Sequence, residues 1–265
     1  MVTILGRKAR AMSHTSKEDG CRGLLKYSIC ITNYNAKDTL SQCLESVFSQ
    51  IASDFEVVVC DNFSTEGSRE ILEEYAKKGK IKLIIEHSSR GKGRQIAFEN
   101  SIGNYIISGI DTDDVIKPVL RDVLRLYHEK HEGYMLSFGT IHIIPRHLVI
   151  AVGGWRDLQW GEDVDFTKRI AFIGKSHYFP DASRIVEKKG SLKMGFLHRI
   201  RERYVYYQCR YRIGLSIFDD LRKDSWHKRP VEFFIVLFAL AMAKLRRLKK
   251  FEYSSDQQTN CSAKT

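Results

Sequence analysis

The chain has 265 residues, 43% hydrophobic and 11% aromatic, which is enough apolar material for one large α/β domain with an appendage and excludes a mostly disordered chain. Lys and Arg number 43 against 32 Asp and Glu, a net charge of +11, so an anionic partner is expected: nucleotide phosphates, nucleic acid or an anionic membrane face. The six cysteines show no paired metal-type spacing, and Cys30 and Cys60 fall inside apolar runs, so they read as reduced core residues of a cytosolic protein rather than a disulfide framework.

Residues 1–26 carry scattered basic residues without the continuous apolar segment of a secretory signal, and they are expected to form a flexible basic leader. Tyr27 to Thr32 reads as a buried strand. Thr39 to Gln50 reads as a helix with Leu40, Cys43, Leu44, Val47 and Phe48 at helical spacing, and Phe55 to Cys60 as a second buried strand. A helix over Ser68 to Ala76, a strand over Ile81 to Glu86, a glycine-basic loop, a helix around Gln95 to Asn100 and a strand from Tyr105 to Ile110 follow. Further helices are expected from near Lys117-Pro118 and over Val164 to Phe172. Strands alternating with helices imply an α/β fold: a doubly wound, mainly parallel sheet flanked by helices, with its ligand at the carboxyl ends of the strands.

Polar motifs cluster at those ends. Asp111-Thr112-Asp113-Asp114 sets three carboxylates in four residues; such crowding is relieved by a divalent cation with oxygen ligands, which can then hold a diphosphate. An acidic turn capping the next helix reads equally well. Asp61-Asn62-Phe63-Ser64 offers a carboxylate and an amide to a base or ribose, or is an Asx/Ser turn. Arg90-Gly91-Lys92-Gly93-Arg94 places three cations around flexible glycines at a helix start, a phosphate cradle or a solvated basic turn. Trp155, Trp160 and Gly161-Glu162-Asp163 form a second acidic cluster, where a carboxylate beside an aromatic can have its pKa raised enough to accept a proton from an alcohol. His128 and His131 lack neighbouring ligands and read as solvent-exposed; His177 and His198 read as structural, with an approach to the metal left open.

In this order, Thr32-Asn33-Tyr34-Asn35, Val57 to Ser64, Arg90 to Asn100, Gly103 to Asp114, Gly153-Gly154-Trp155 and Gly161-Glu162-Asp163 together resemble the family-2 glycosyltransferases of the GT-A fold, over Tyr27 to about Ile173. The resemblance implies inverting transfer of a sugar from a nucleotide-diphosphate donor to an acceptor hydroxyl. By position it implies that Thr32, Asn35, Asp61, Asn62, Arg94, Asp111 and Trp155 bind substrate, with Thr32, Asp61 and Asn62 at the base and ribose and Arg94 near the diphosphate, that Asp113 with Asp111 holds Mg²⁺ or Mn²⁺, and that Asp163 is the general base with Glu162 beside it toward the acceptor. Asn62 stands where a second acid is common, and the short segment from Asp114 to Glu162 implies an acceptor site that is open or completed from the C-terminal side. A non-catalytic nucleotide or glycan binder and a nucleotidyltransferase are the competing readings. The glycosyltransferase domain is expected to span residues 27–190.

Phe196 to Phe218 interleaves aromatics with arginines, and Val231 to Ala243 is apolar apart from Glu232 and followed by a run of cations. Residues 191–251 are therefore expected to form a basic and apolar helical region, and 252–265 a polar tail. The apolar helix is shorter than a bilayer core, which favours embedding in one leaflet of the cytoplasmic face over spanning; a core helix is the alternative. The partners expected are a nucleotide-sugar donor, a glycan or lipid-linked acceptor and an anionic membrane surface, with no nucleic acid.

Overall fold

The computed structural model describes residues 26–179, 185–188, Tyr204, Tyr207 and 230–245. In chain order the elements are β1 (Tyr27–Asn33), α1 (Lys37–Phe48), β2 (Phe55–Asp61), α2 (Ser68–Lys77), β3 (Lys82–Ile85), α3 (Arg90–Glu99), β4 (Tyr105–Ser108) and β5 (Asp114–Ile116). They continue with α4 (Leu120–Lys130), β6 (Met135–Phe138), β7 (Ile141–Pro145), α5 (Arg146–Ala151), α6 (Glu162–Phe172), β8 (Ser176–Phe179), β9 (Val186–Lys188) and α7 (Pro230–Leu245). Seven strands form one sheet in the order β3-β2-β1-β4-β7-β6-β8. Every pairing in it is parallel except those of β7, which runs against β4 and β6. This is the GT-A arrangement of a mostly parallel central sheet between helices.

Buried parallel strands need apolar side chains on both faces, and β1 and β2 supply them. Ile29, Ile31, Val57 and Val59 face a core layer with Leu40, Leu44 and Val47 of α1 and Leu120, Leu124 and Tyr127 of α4. Cys30, Val58 and Cys60 face a second layer with Ile96 and Phe98 of α3, Val149 of α5, and Phe166 and Ile170 of α6. Cys30, Cys43 and Cys60 are buried free thiols.

Three boundaries depart from the sequence reading. The glycine-basic stretch is not a loop: it is the first turn of α3, capped by Ser89, whose Oγ accepts from the Lys92 N–H at 3.1 Å. Its glycines serve close packing rather than flexibility, since a Cβ on Gly91 would stand 2.1 Å from the Arg156 carbonyl oxygen. β4 stops at Ser108 because Gly109 takes φ +85°, where a Cβ would meet the Thr140 oxygen at 1.7 Å. α4 begins at Leu120, past Lys117-Pro118 rather than at it.

The chain after Ile110 does not run straight into a helix. Asp114–Ile116 pairs antiparallel with Val186–Lys188, a small second sheet beside the large one. Along α7, Phe234, Phe238 and Leu245 are 68%, 59% and 76% exposed, whereas Ala239 is buried. Among the described residues no helix is long and apolar enough to cross a membrane. The leader, the basic-aromatic segment apart from Tyr204 and Tyr207, His198 and the polar tail lie outside the described residues.

Candidate functional site

At the carboxyl ends of β1 and β2, polar groups clasp one another. Asp61 is fully buried: its Oδ1 accepts from Asn33 Nδ2 at 2.7 Å and from the Ser64 hydroxyl at 2.6 Å, and its Oδ2 from the Ser64 N–H at 3.0 Å. Asn33 Nδ2 also reaches the Ser64 and Ser68 hydroxyls. Asn35, at φ +48°, donates its N–H to Ser64 Oγ and accepts at Oδ1 from the Thr65 N–H. Asp61 and Asn35 thus hold a loop clasp, the geometry of the turn reading of that motif. Asn62 is half-buried and accepts from the Ser88 N–H at 3.0 Å, fixing the approach to α3. Thr32 is half-buried, with its Cγ2 under Gly93. Asn33, which the sequence reading did not single out, is the centre of the clasp.

The three acids of the turn after β4 do not converge. Asp114 is buried and accepts from the Asp111 N–H at 2.9 Å through Oδ2, so it shapes the turn. Asp111 and Asp113 stay partly exposed. The buried Cys43 thiol records all three: burial first, then the charges of Asp114, Asp111 and Asp113, push its pKa up to about 12. Among the described residues no group of three or more His, Cys, Asp or Glu is arranged to hold a metal. Two partly exposed carboxylates suit Mg²⁺ or Mn²⁺, which takes one or two carboxylates and completes its shell with phosphate and water oxygens.

Arg94 joins this turn to the second acidic cluster. It is 3% exposed on the buried side of α3, and its Nη2 lies 3.0 Å from Asp163 Oδ2, 3.3 Å from Glu162 Oε1 and 4.0 Å from Asp111 Oδ1. Burial alone would weaken its charge, but the charges of Asp163, Glu162 and Asp111 raise its pKa above the usual value. Glu162 is 2% exposed at the start of α6, beyond Gly161 at φ +73°. Burial, then the Asp163 charge, lifts its pKa to about 7 against the pull of Arg94 and Arg90. Glu162 thus has the raised pKa expected of a carboxylate in this cluster. Asp163 keeps 24% of its side chain exposed.

The loop before α6 is latched onto α3: Gly91 N–H donates to Leu158 O at 2.9 Å, Ser89 Oγ to Asp157, and the Arg90 guanidinium stands 5.3 Å from the Trp160 ring centroid. Trp155 is a core residue rather than a donor contact. It is 4% exposed, stacked on Phe166 at 4.0 Å and tilted against Phe98. Asp165 is neutralised by Arg156 at 3.1 Å and Arg169 at 2.7 Å and holds the loop to the helix. His128 is not simply solvated: its Nε2 meets the Tyr27 hydroxyl at 2.7 Å. His131 and His177 share a 2.8 Å Nδ1 to Nδ1 contact, with Tyr134 stacked on His177, so their partners are one another rather than the acidic turn.

Residues 28–146 match the profile described as Glycosyl transferase family 2. Over 119 residues the chain is 31% identical to the poly(ribitol-phosphate) beta-N-acetylglucosaminyltransferase TarS of Staphylococcus aureus, covering 43% of this chain and 21% of that one. Over 98 residues it is 38% identical to a poly(ribitol-phosphate) beta-glucosyltransferase of Bacillus spizizenii, covering 35% of this chain and 15% of that one. The chain thus spans only about a fifth or less of these relatives' length. In fold it is similar to the mannosyltransferase PcManGT from Pyrobaculum calidifontis in complex with GDP-Man and Mn²⁺: TM-score 0.61, 18% identity, 89% of this chain and 78% of that one. It is also similar to S. aureus TarS 1-349 in complex with UDP-GlcNAc: TM-score 0.55, 16% identity, 88% of this chain and 78% of that one. A mostly parallel sheet that gathers two acidic clusters around one arginine gives the chain a GT-A fold, and within it residues 28–146, from β1 into α5, match glycosyl transferase family 2.

Proposed function

We propose that the chain is an inverting glycosyltransferase, moving a sugar from a nucleotide-diphosphate donor to an acceptor hydroxyl. The observation that carries this reading is the convergence of Asp111, Glu162 and Asp163 on Arg94 Nη2, within 4.0 Å. Asp111 and Asp113 would hold Mg²⁺ or Mn²⁺, which supplies positive charge for the departing diphosphate. Arg94 adds a fixed cation beside that turn. Asp163, the partly exposed carboxylate of the pair, takes the acceptor proton, and attack from the face opposite the leaving group inverts the anomeric carbon. Glu162, neutral over part of the physiological range, offers a hydrogen bond to the acceptor without adding a second negative charge.

UDP-linked and GDP-linked sugars are the first donors to try, because the similar structures carry UDP-GlcNAc and GDP-Man. The names of the sequence relatives favour a polyhydroxylated polymer of the poly(ribitol-phosphate) kind as acceptor, beside the glycan or lipid-linked acceptor expected from the sequence. The exposed apolar stripe of α7 supports peripheral attachment to the cytoplasmic face of a membrane. The test is a screen of nucleotide sugars with Mn²⁺ and Mg²⁺, comparing the wild-type chain with Asp163→Asn. The variant is expected to bind donor normally and to turn over roughly 10²-fold or more slowly, the scale of a lost general base. Collapse of donor affinity instead makes Asp163 a binding residue; binding without turnover by the wild type makes the chain a non-catalytic nucleotide-sugar binder.

A further inference from the structure

A polar row on the sheet, at a histidine on which the Asp163 and Arg94 charges both act, has no role in the reaction as proposed. Ser108 on β4 pairs with His142 on β7, and His142 pairs with Ser137 on β6. Cross-strand partners leave a sheet on the same face, so the three side chains form a row. Ile106 and Ile144, two residues away along β4 and β7, share that face and belong to the core layer covered by α3, α5 and α6. The layer is apolar at its base and becomes polar at the carboxyl end of β4, the end where α3 and α6 bring Arg94 and Asp163 together.

All three polar side chains are buried, with Ser108 at 0% and Ser137 and His142 at 2% exposure. His142 Nδ1 and Ser137 Oγ are 2.9 Å apart. Among the described residues His142 Nε2, Ser108 Oγ, Arg94 Nε and Asp163 Oδ1 have no hydrogen-bond partner. Buried polar groups are normally paired, and these four are complementary: Arg94 is a donor, Asp163 an acceptor, Ser108 either, and His142 whichever its tautomer makes it. Burial holds the ring neutral, with a pKa lowered to about 4; of the charges acting on it, the Asp163 carboxylate counts for more than the Arg94 guanidinium. A negative neighbour favours the tautomer with the proton on Nε2, leaving Nδ1 to accept from Ser137.

We infer that His142 is a positioning residue of the transfer site. As the neutral Nε2–H tautomer it donates, across one bound water, to the buried Oδ1 of Asp163, while Oδ2 stays on Arg94. With both oxygens held, the carboxylate keeps one orientation toward the acceptor. The inference rests on the reading of Asp163 as the base.

The experiment uses the full-length chain labelled with ¹⁵N-histidine, whose long-range ¹H–¹⁵N spectra distinguish the two neutral tautomers from imidazolium. His142 is expected to remain the Nε2–H tautomer from about pH 5.5 to about pH 8, and its resonances are expected to move in Asp163→Asn. His142→Leu is expected to lower kcat about 10-fold or more while KM for the nucleotide sugar stays within about twofold, and His142→Gln, which offers an amide N–H near the position of Nε2, to restore most of it. Unmoved His142 resonances in Asp163→Asn, the other tautomer, or equal loss of kcat in the Leu and Gln variants in step with their melting temperatures would overturn it. If the wild-type chain turns over no nucleotide sugar, the transfer reading falls, and the resonance shift alone decides for or against the His142 contact.

Discussion

Arg94 Nη2 stands 3.0 Å from Asp163 Oδ2, a charged hydrogen bond that ties α3 to α6 between residues 69 positions apart in sequence. The same nitrogen reaches Glu162, 97% of whose side chain is buried. Removing the guanidinium would leave buried negative charge uncompensated, a loss of about 3–5 kcal/mol for pairs of this kind. Arg94→Met should therefore lower the urea midpoint substantially and abolish donor turnover. Arg94→Lys should recover part of the stability but little of the turnover, because a point charge cannot reproduce the planar fork. Denaturation curves together with donor calorimetry check both; a fully active Lys variant contradicts the role.

Gly91→Ala tests the latch between α3 and the loop ahead of α6. The added methyl would press on the Arg156 carbonyl, which belongs to backbone rather than to a flexible side chain. A destabilisation of about 1–3 kcal/mol is expected, although Ala is the better helix former. Faster proteolysis within Arg156 to Gly161 should accompany it. A stabilised variant would show that the loop yields without penalty.

Glu162 gives a pH signature. Its folded pKa, about 7, lies above the ordinary 4.5, so its protonated form contributes stability that is fully present below about pH 4.5 and is lost as pH rises through about 7. In Glu162→Gln that contribution no longer titrates. The wild type should therefore lose ground against the variant between those two pH values, by no more than about 3 kcal/mol. Parallel stability curves across this window would show that the carboxyl titrates near its ordinary value.

Asp113→Asn and Asp114→Asn should fail differently. The first should remove Mn²⁺-dependent donor binding, since an amide supplies no anionic ligand. The second should destabilise the turn itself, because Asp114 accepts the Asp111 N–H at 2.9 Å from a fully buried position. Calorimetry with and without EDTA, alongside thermal melts, separates them. Transfer that persists in EDTA would remove the metal from the mechanism.

The apolar stripe on α7 should matter for membrane attachment. Truncation before Pro230 should release the chain from anionic liposomes without changing donor binding, and high salt alone should release it only partly, since salt screens charge but not apolar burial. Full-length chain remaining in the supernatant with such liposomes contradicts attachment.

The order of strands and helices from β1 to β4 was legible because strands buried on both faces must be apolar runs, as in Ile29 to Ile31 and Val57 to Cys60. What was not legible depended on contacts distant in sequence. Gly91 and Gly93 lower helix propensity locally, and their closeness to Arg156 and Thr32 explains why glycines stand in the first turn of a helix that Ser89 caps. Asp61 and Asn35 sit at strand ends where ligands bind, and a sequence cannot reveal that they also hydrogen-bond Asn33, Ser64 and Thr65 within the loop. Trp155 followed the same pattern: an aromatic beside acids looked like a binding surface, and its stacking on Phe166 places it in the core. The i, i+4 spacing of Asp165 and Arg169 was a signal that could have separated the structural carboxylate from Asp163.

The pairing of β5 with β9 carries a consequence for when the site can exist at all. Asp114 begins a strand whose partner is Val186–Lys188, which comes after every other strand of both sheets. During synthesis the large sheet can assemble its first four strands while the acidic turn is still held from one side only. The turn acquires its second anchor when Lys188 has been made, 42 residues beyond the end of the family match at residue 146. The smallest fragment able to present Asp111 and Asp113 in this arrangement is therefore longer than the segment by which the family is recognised.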